Sequence, residues 1–134
     1  MAEEKVEIVR GVIGAWNRRD YETLMAFGHD DIELHLIGGF ADMIGEKFEG
    51  RDGVLRFWRE MAQTIGGHID FDDSRELDGN KLLIRFTWTG SGFESGAPAE
   101  MKTGQIWTFR DGKVIHVDAY YDAAAAVEAA GLSE

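Results

Sequence analysis

Gln105 is the single side-chain amide in three successive β-patterned runs, and its neighbours define the chemistry open to it. The runs are Lys81–Thr89, Met101–Phe109 and Val114–Tyr121. Alternate residues of a strand face opposite sides of a sheet. Ile84, Phe86 and Trp88 therefore share one face, as do Gln105, Trp107 and Phe109. Ile115, Val117, Ala119 and Tyr121 form the third set. A broad apolar face holding one amide describes a curved sheet closed over a pocket for a small hydrophobic molecule. In that reading Gln105 and Tyr121 are polar anchors. Trp88, Trp107, Phe86, Leu36, Val12 and Ala119 are walls. A buried amide must find partners, and a ligand carbonyl or hydroxyl is one. Tyr121 or the backbone is another, in which case Gln105 plugs the core.

Proton chemistry would need a carboxyl group near that pocket. Asp42 and Glu46 lie in a loop-like segment with Phe40 and Met43, and this segment could cover the pocket mouth. A desolvated carboxyl there would titrate high and serve as general acid or base. Solvated loop acids are the plainer alternative. His35 and His116 fall on the opposite face, with Arg85, Thr87, Thr108, Asp118 and Tyr120. No His-x₃-His pair is present, and no metal or other cofactor is expected. Ser91 and Ser95 lie outside any Gly-x-Ser-x-Gly elbow.

The elements that must position these residues follow from periodicity. Val6, Val9, Val12, Ile13 and Trp16 mark one face of a helix over residues 4–18. Asp20 is placed to cap a short second helix bearing Tyr21, Leu24, Met25 and Phe27. Ile32, Leu34 and Leu36 alternate with polar residues, as in a strand. Gly38–Gly50 reads as a loop. Asp52-Gly53 opens a third helix with Val54, Phe57, Trp58, Met61 and Ile65 on its apolar stripe, stopped at Gly66-Gly67. Ile69 and Phe71 begin a β series with turns at Asp78-Gly79-Asn80 and Asp111-Gly112. Asp122 caps a final alanine-rich helix, 123–130, closed by Gly131. Helices first and successive antiparallel strands afterwards specify an α+β fold.

Composition narrows the function classes. The 134 residues form one domain, 1–134, with an apolar fraction of 44%. A net charge of −11 without a basic stripe argues against nucleic acid and against anionic membranes. There is no cysteine, which excludes thiolate chemistry. The first residues show no signal-peptide pattern, so a cytoplasmic location is expected.

Several segments together resemble the nuclear transport factor two-like superfamily, in its SnoaL-like branch. They are Ala15-Trp16-Asn17-Arg18-Arg19-Asp20, His29-Asp30-Asp31-Ile32, Phe48-Glu49-Gly50-Arg51-Asp52-Gly53-Val54, Trp107–Val114 and Tyr120-Tyr121-Asp122. The resemblance implies a cone-shaped bent antiparallel sheet with N-terminal helices over its concave face, as in the ketosteroid isomerases. It also implies a homodimer through the outer sheet face. The isomerase positions for Tyr, base and protonated Asp fall at Val12, Leu36 and Gln105. The epoxide hydrolase positions fall at Phe86, Trp88, Ala119, Leu34 and Leu36, none of which polarises an epoxide. The polyketide cyclase acid falls at Ala119, with Asp118 one residue away on the other face unless a bulge re-aims it. The resemblance thus implies a pocket protein, with an isomerase, cyclase or hydrolase using Asp42, Glu46 or Asp118 as the alternative. A dimeric interaction module without ligand is the third reading.

Overall fold

Helix α1 (Ala2–Arg18) and helix α2 (Tyr21–Ala26) are joined by a single turn in which the chain supplies both caps. Arg19 has φ +58°. Its N–H bonds Trp16 O at 2.9 Å, and the Asp20 N–H bonds Ala15 O at 2.8 Å. This is the left-handed closure that glycine usually supplies. Here the Arg19 guanidinium compensates by donating to Trp16 O at 2.8 Å and to Gly67 O at 2.9 Å. Asp20 then caps α2, accepting from Thr23 N at 3.2 Å and Thr23 Oγ1 at 2.6 Å. The computed structural model describes residues 2–37, 47–64, 66–77, 80–91, 98–120 and 122–131.

The remaining elements are β1 (Gly28–Ile37), β2 (Lys47–Glu49), α3 (Gly50–Thr64), β3 (His68–Glu76), β4 (Lys81–Ser91), β5 (Pro98–Arg110), β6 (Lys113–Tyr120) and α4 (Ala123–Ala129). The α+β assignment holds, with one curved, open, six-stranded sheet in the order β2-β1-β6-β5-β4-β3. Two details differ from expectation. The sheet is mixed, because β1 runs parallel to β6. Strand β1 lies between the early helices while β6 follows a hairpin, and only the long-range pairing fixes their relative sense. Residues 47–49 are a strand rather than loop, paired with β1 through Leu34 opposite Phe48. Three residues are too few for periodicity to reveal.

The hairpin at Asp111-Gly112 forms as expected, with φ +53° and +76° at the two turn residues. Asp122 caps α4 by accepting from Ala124 N at 2.9 Å. The main core lies between the concave sheet face and α1–α3. Trp16, Met61, Ile84, Phe48 and Trp88 are among its most buried members. Helix α4 packs on the other face, where Leu83, Ile106, Ala126 and Val127 form a second small cluster.

Asn17 ties α1 to the sheet. Its side chain donates to Ile69 O at 2.9 Å and accepts from Ile69 N at 2.8 Å. Strand β3 is an edge, and this amide occupies the backbone groups that a further strand would otherwise pair.

Candidate functional site

The concave face carries a small cavity of about 40 Å³, walled by α1–α3 and the inner residues of β1, β5 and β6. Among the residues expected to form the pocket, Val12, Gln105 and Trp107 border it. Leu36, Phe86, Trp88 and Ala119 are buried in the same core without bordering it. Trp88 instead donates to Gly66 O at 2.7 Å and meets Trp16 edge-on at 5.4 Å. Tyr121, Phe40, Asp42 and Glu46 lie outside the described residues.

Much of the wall comes from helices and from β1. Leu24, Met25, Phe27, Phe57 and Trp58 line it, together with Leu34. Their signal in the sequence was the apolar helical stripe, which is shared by any core residue. The β6 contribution is shifted by one residue. Thr108 pairs with His116 while Phe109 pairs with Val114, so Ile115 is an extra, bulged residue. Val114 therefore reaches the cavity, whereas Ile115 was expected there and is only half-buried.

The polar end of the cavity is a two-residue unit. Gln105 is buried at 8% exposure, and its Oε1 accepts the Trp107 indole N–H at 2.6 Å. The indole has no other polar atom, so the amide orientation is fixed with oxygen toward Trp107. The amide NH₂ has no partner among the described residues. A donor pair without competing acceptor is what a ligand carbonyl or carboxylate oxygen requires. No acid, base or hydroxyl side chain borders the cavity among the described residues.

Asp118 lies on the outer face. Its Oδ1 is 2.9 Å from His116 Nε2, and it helps to line a separate, polar groove with Tyr120 and Arg75. Burial, and then the Asp118 charge, hold the Tyr120 phenol above its usual range. The bulge at Ile115 precedes Asp118 without turning it inward, because Val117 and Ala119 keep the inner positions.

A profile of the SnoaL-like domain matches residues 9–117. The chain belongs to the SnoaL-like family. Solved structures agree on the fold. An NTF2-like protein of unknown function from Burkholderia pseudomallei is 22% identical, covers 95% of this chain and 97% of its own, and superposes with a TM-score of 0.78. TerC, co-crystallised with polyporic acid, is 23% identical over 93% and 96% of the two chains, with a TM-score of 0.77. A protein of ketosteroid isomerase-like fold from Catenulispora acidiphila, in complex with trimethylamine, is 17% identical over 95% and 94%, with a TM-score of 0.73. Comparison with curated proteins gives no match. Among the described residues, no helix of this SnoaL-like chain is long and apolar enough to cross a membrane.

Proposed function

We propose that this SnoaL-like protein binds a small, mostly apolar molecule that presents a carbonyl or carboxylate oxygen to Gln105. The observation that carries the reading is the Gln105–Trp107 pair, which leaves two amide donors at the end of an otherwise apolar cavity. An apolar filler that sealed those amide hydrogens from water would leave them unpaired, at about 1–3 kcal/mol, so a ligand that brings an acceptor is favoured over it. The cavity as it stands admits about one water rather than an organic molecule. Half-buried Phe27 and Trp58 mark its solvent side, and entry requires them to swing out together with the adaptable Met25 side chain. A relative of this fold co-crystallised with polyporic acid supports ligand binding as the kind of role to test.

An isomerase, cyclase or hydrolase reading would rest on Asp42 or Glu46. As a separate reading, two copies pair through the outer sheet face, which light scattering at micromolar concentration tests.

The direct experiment is tryptophan fluorescence, since Trp58 and Trp107 border the cavity. Titration with polyporic acid, a steroid ketone and an aromatic polyketide should quench or shift the emission saturably for at least one probe. The same probe should respond weakly in Gln105→Leu. Saturable binding unaffected by that change removes the anchor role, and silence across the panel removes the pocket reading.

A further inference from the structure

On the outer face, β1 and β6 run side by side with Glu33 opposite His116 and His35 opposite Asp118. Residues two apart share a face, so these four side chains occupy the corners of a small rectangle. Glu33 Oε2 lies 3.8 Å from His35 Nε2 and 3.8 Å from His116 Nδ1. The two imidazole rings meet edge to face at 4.8 Å. The donor atoms of Glu33, His35 and His116 all lie within 4.8 Å of one another.

Two features distinguish this group from an ordinary surface cluster. His116 Nε2 is 2.9 Å from Asp118 Oδ1. In neutral His116 that contact favours the ring proton on Nε2, which leaves the Nδ1 lone pair on the Glu33 side. A carboxylate that orients an imidazole in this way is the usual partner of a metal-binding histidine. In addition, His35 Nε2 is shielded from solvent and has no hydrogen-bond partner among the described residues. A lone pair, a carboxylate oxygen and an orphaned ring nitrogen thus converge on one point. Such a set calls for a cation between its members.

We propose that Glu33, His35 and His116 bind a divalent transition-metal ion of the zinc class, with Asp118 as the residue that positions His116. Zinc bonds of about 2.0–2.2 Å in a tetrahedron separate the ligands by about 3.3 Å. The two 3.8 Å separations, and a His35–His116 separation within 4.8 Å, close toward that value by rotation of side chains that are 30–41% exposed. Glu33, the most exposed of the three at 41%, marks the side from which an ion would enter. Two imidazoles and a carboxylate select zinc, nickel, cobalt or copper over magnesium and calcium. Lys47, opposite His35 on β2, is the nearby cation, and Glu49 holds it at 3.0 Å. Thr108, opposite His116 on β5, adds no charge. The sequence offered no metal spacing because the two histidines are on strands far apart in the chain.

The test is calorimetric titration of the chelator-treated full chain with zinc chloride, followed by cobalt spectroscopy. One ion per chain is expected, with magnesium producing no heat. His35→Gln with His116→Gln should weaken zinc at least about 10-fold, and Asp118→Asn should weaken it about 10–100-fold. Cobalt should give visible absorption bands in the wild type that the double variant lacks. Zinc should also shift the ring resonances of His35 and His116 in the wild type, a readout that does not depend on any variant folding. Equal binding by wild type and double variant, unmoved ring resonances, or no binding at pH 7.5 overturns the site. Ring resonances that respond only to pH would assign the central cation as a proton and likewise overturn it.

Discussion

Trp107 donates its indole proton to the side chain of Gln105, two residues back on the same inner face of β5, at 2.6 Å. The bond satisfies the indole N–H and the amide oxygen and leaves the amide NH₂ over. Gln105→Leu should therefore act twice. It strands the indole N–H, at an expected cost of about 1–3 kcal/mol in unfolding free energy. It also removes the donors offered to a ligand. Trp107→Phe separates the effects, because it frees Gln105 Oε1 while keeping the amide hydrogens. Urea denaturation should show both variants destabilised, whereas probe affinity should fall in Gln105→Leu more than in Trp107→Phe. Equal affinity losses would mean that the pair acts only through packing.

Helix α4 depends on a missing side chain. A Cβ at Gly104 would stand 2.6 Å from Ala126 Cβ and 3.2 Å from Ala123 Cα. Overpacking of this kind typically costs about 1–3 kcal/mol. Gly104→Ala should lower stability by that amount, and Ala126→Gly should return part of the loss when combined with it. A double-mutant cycle by thermal unfolding measures the coupling. Strict additivity would show that α4 shifts away as a body instead of resisting.

These contacts indicate which features of the chain were legible from its sequence. Parity alone placed Ile84, Phe86, Trp88, Gln105 and Trp107 inside, and Asp118 outside, because strand alternation is local and rigid. It failed at Ile115, where a bulge adds a residue that only the partner strand reveals. Capping chemistry located Asp20 and Asp122 from residue type, since those bonds close within three residues. The sense of β1 against β6 was not legible, because pairing across the chain leaves no local trace. The same reason hid the convergence of Glu33, His35 and His116. The helical wall of the cavity was visible as apolar stripes, yet a stripe does not say whether its far side meets a void or an atom.

Asn17 offers a test of how the edge strand is held. Its two bonds satisfy both polar groups of Ile69, a residue otherwise buried at 2% exposure. Asn17→Ala removes two bonds and leaves a donor and an acceptor beside the core. A loss of about 2–3 kcal/mol is expected, above that of a typical surface substitution. Hydrogen exchange should show the Ile69 amide losing protection disproportionately relative to the amides of β5. A uniform change across the sheet would mean that Asn17 contributes only to global stability.

Acid sensitivity should trace in part to Asp73. Arg85 Nε donates to its Oδ1 at 2.7 Å, and this bond, with the guanidinium charge behind it, holds the carboxyl below its usual range despite slight desolvation. A carboxyl whose folded titration point is depressed stabilises the fold above its unfolded value of about 3.9. That contribution fades as pH falls through the depressed folded value. Both partners are about half exposed, so solvent screening keeps the pair under about 1 kcal/mol. Asp73→Asn should accordingly be less stable than wild type at pH 7, and the two should converge near pH 2. Asp20 is depressed in the same direction by its bonds to Thr23, so the variant's acid limb becomes shallower without becoming flat. Urea midpoints at intervals from pH 7 to about pH 2 measure this difference. The β3–β4 pairing shifts register between Phe71 and Asp73, and a gap between the two proteins that stays constant with pH would place the effect of the substitution in that irregularity rather than in the charge pair.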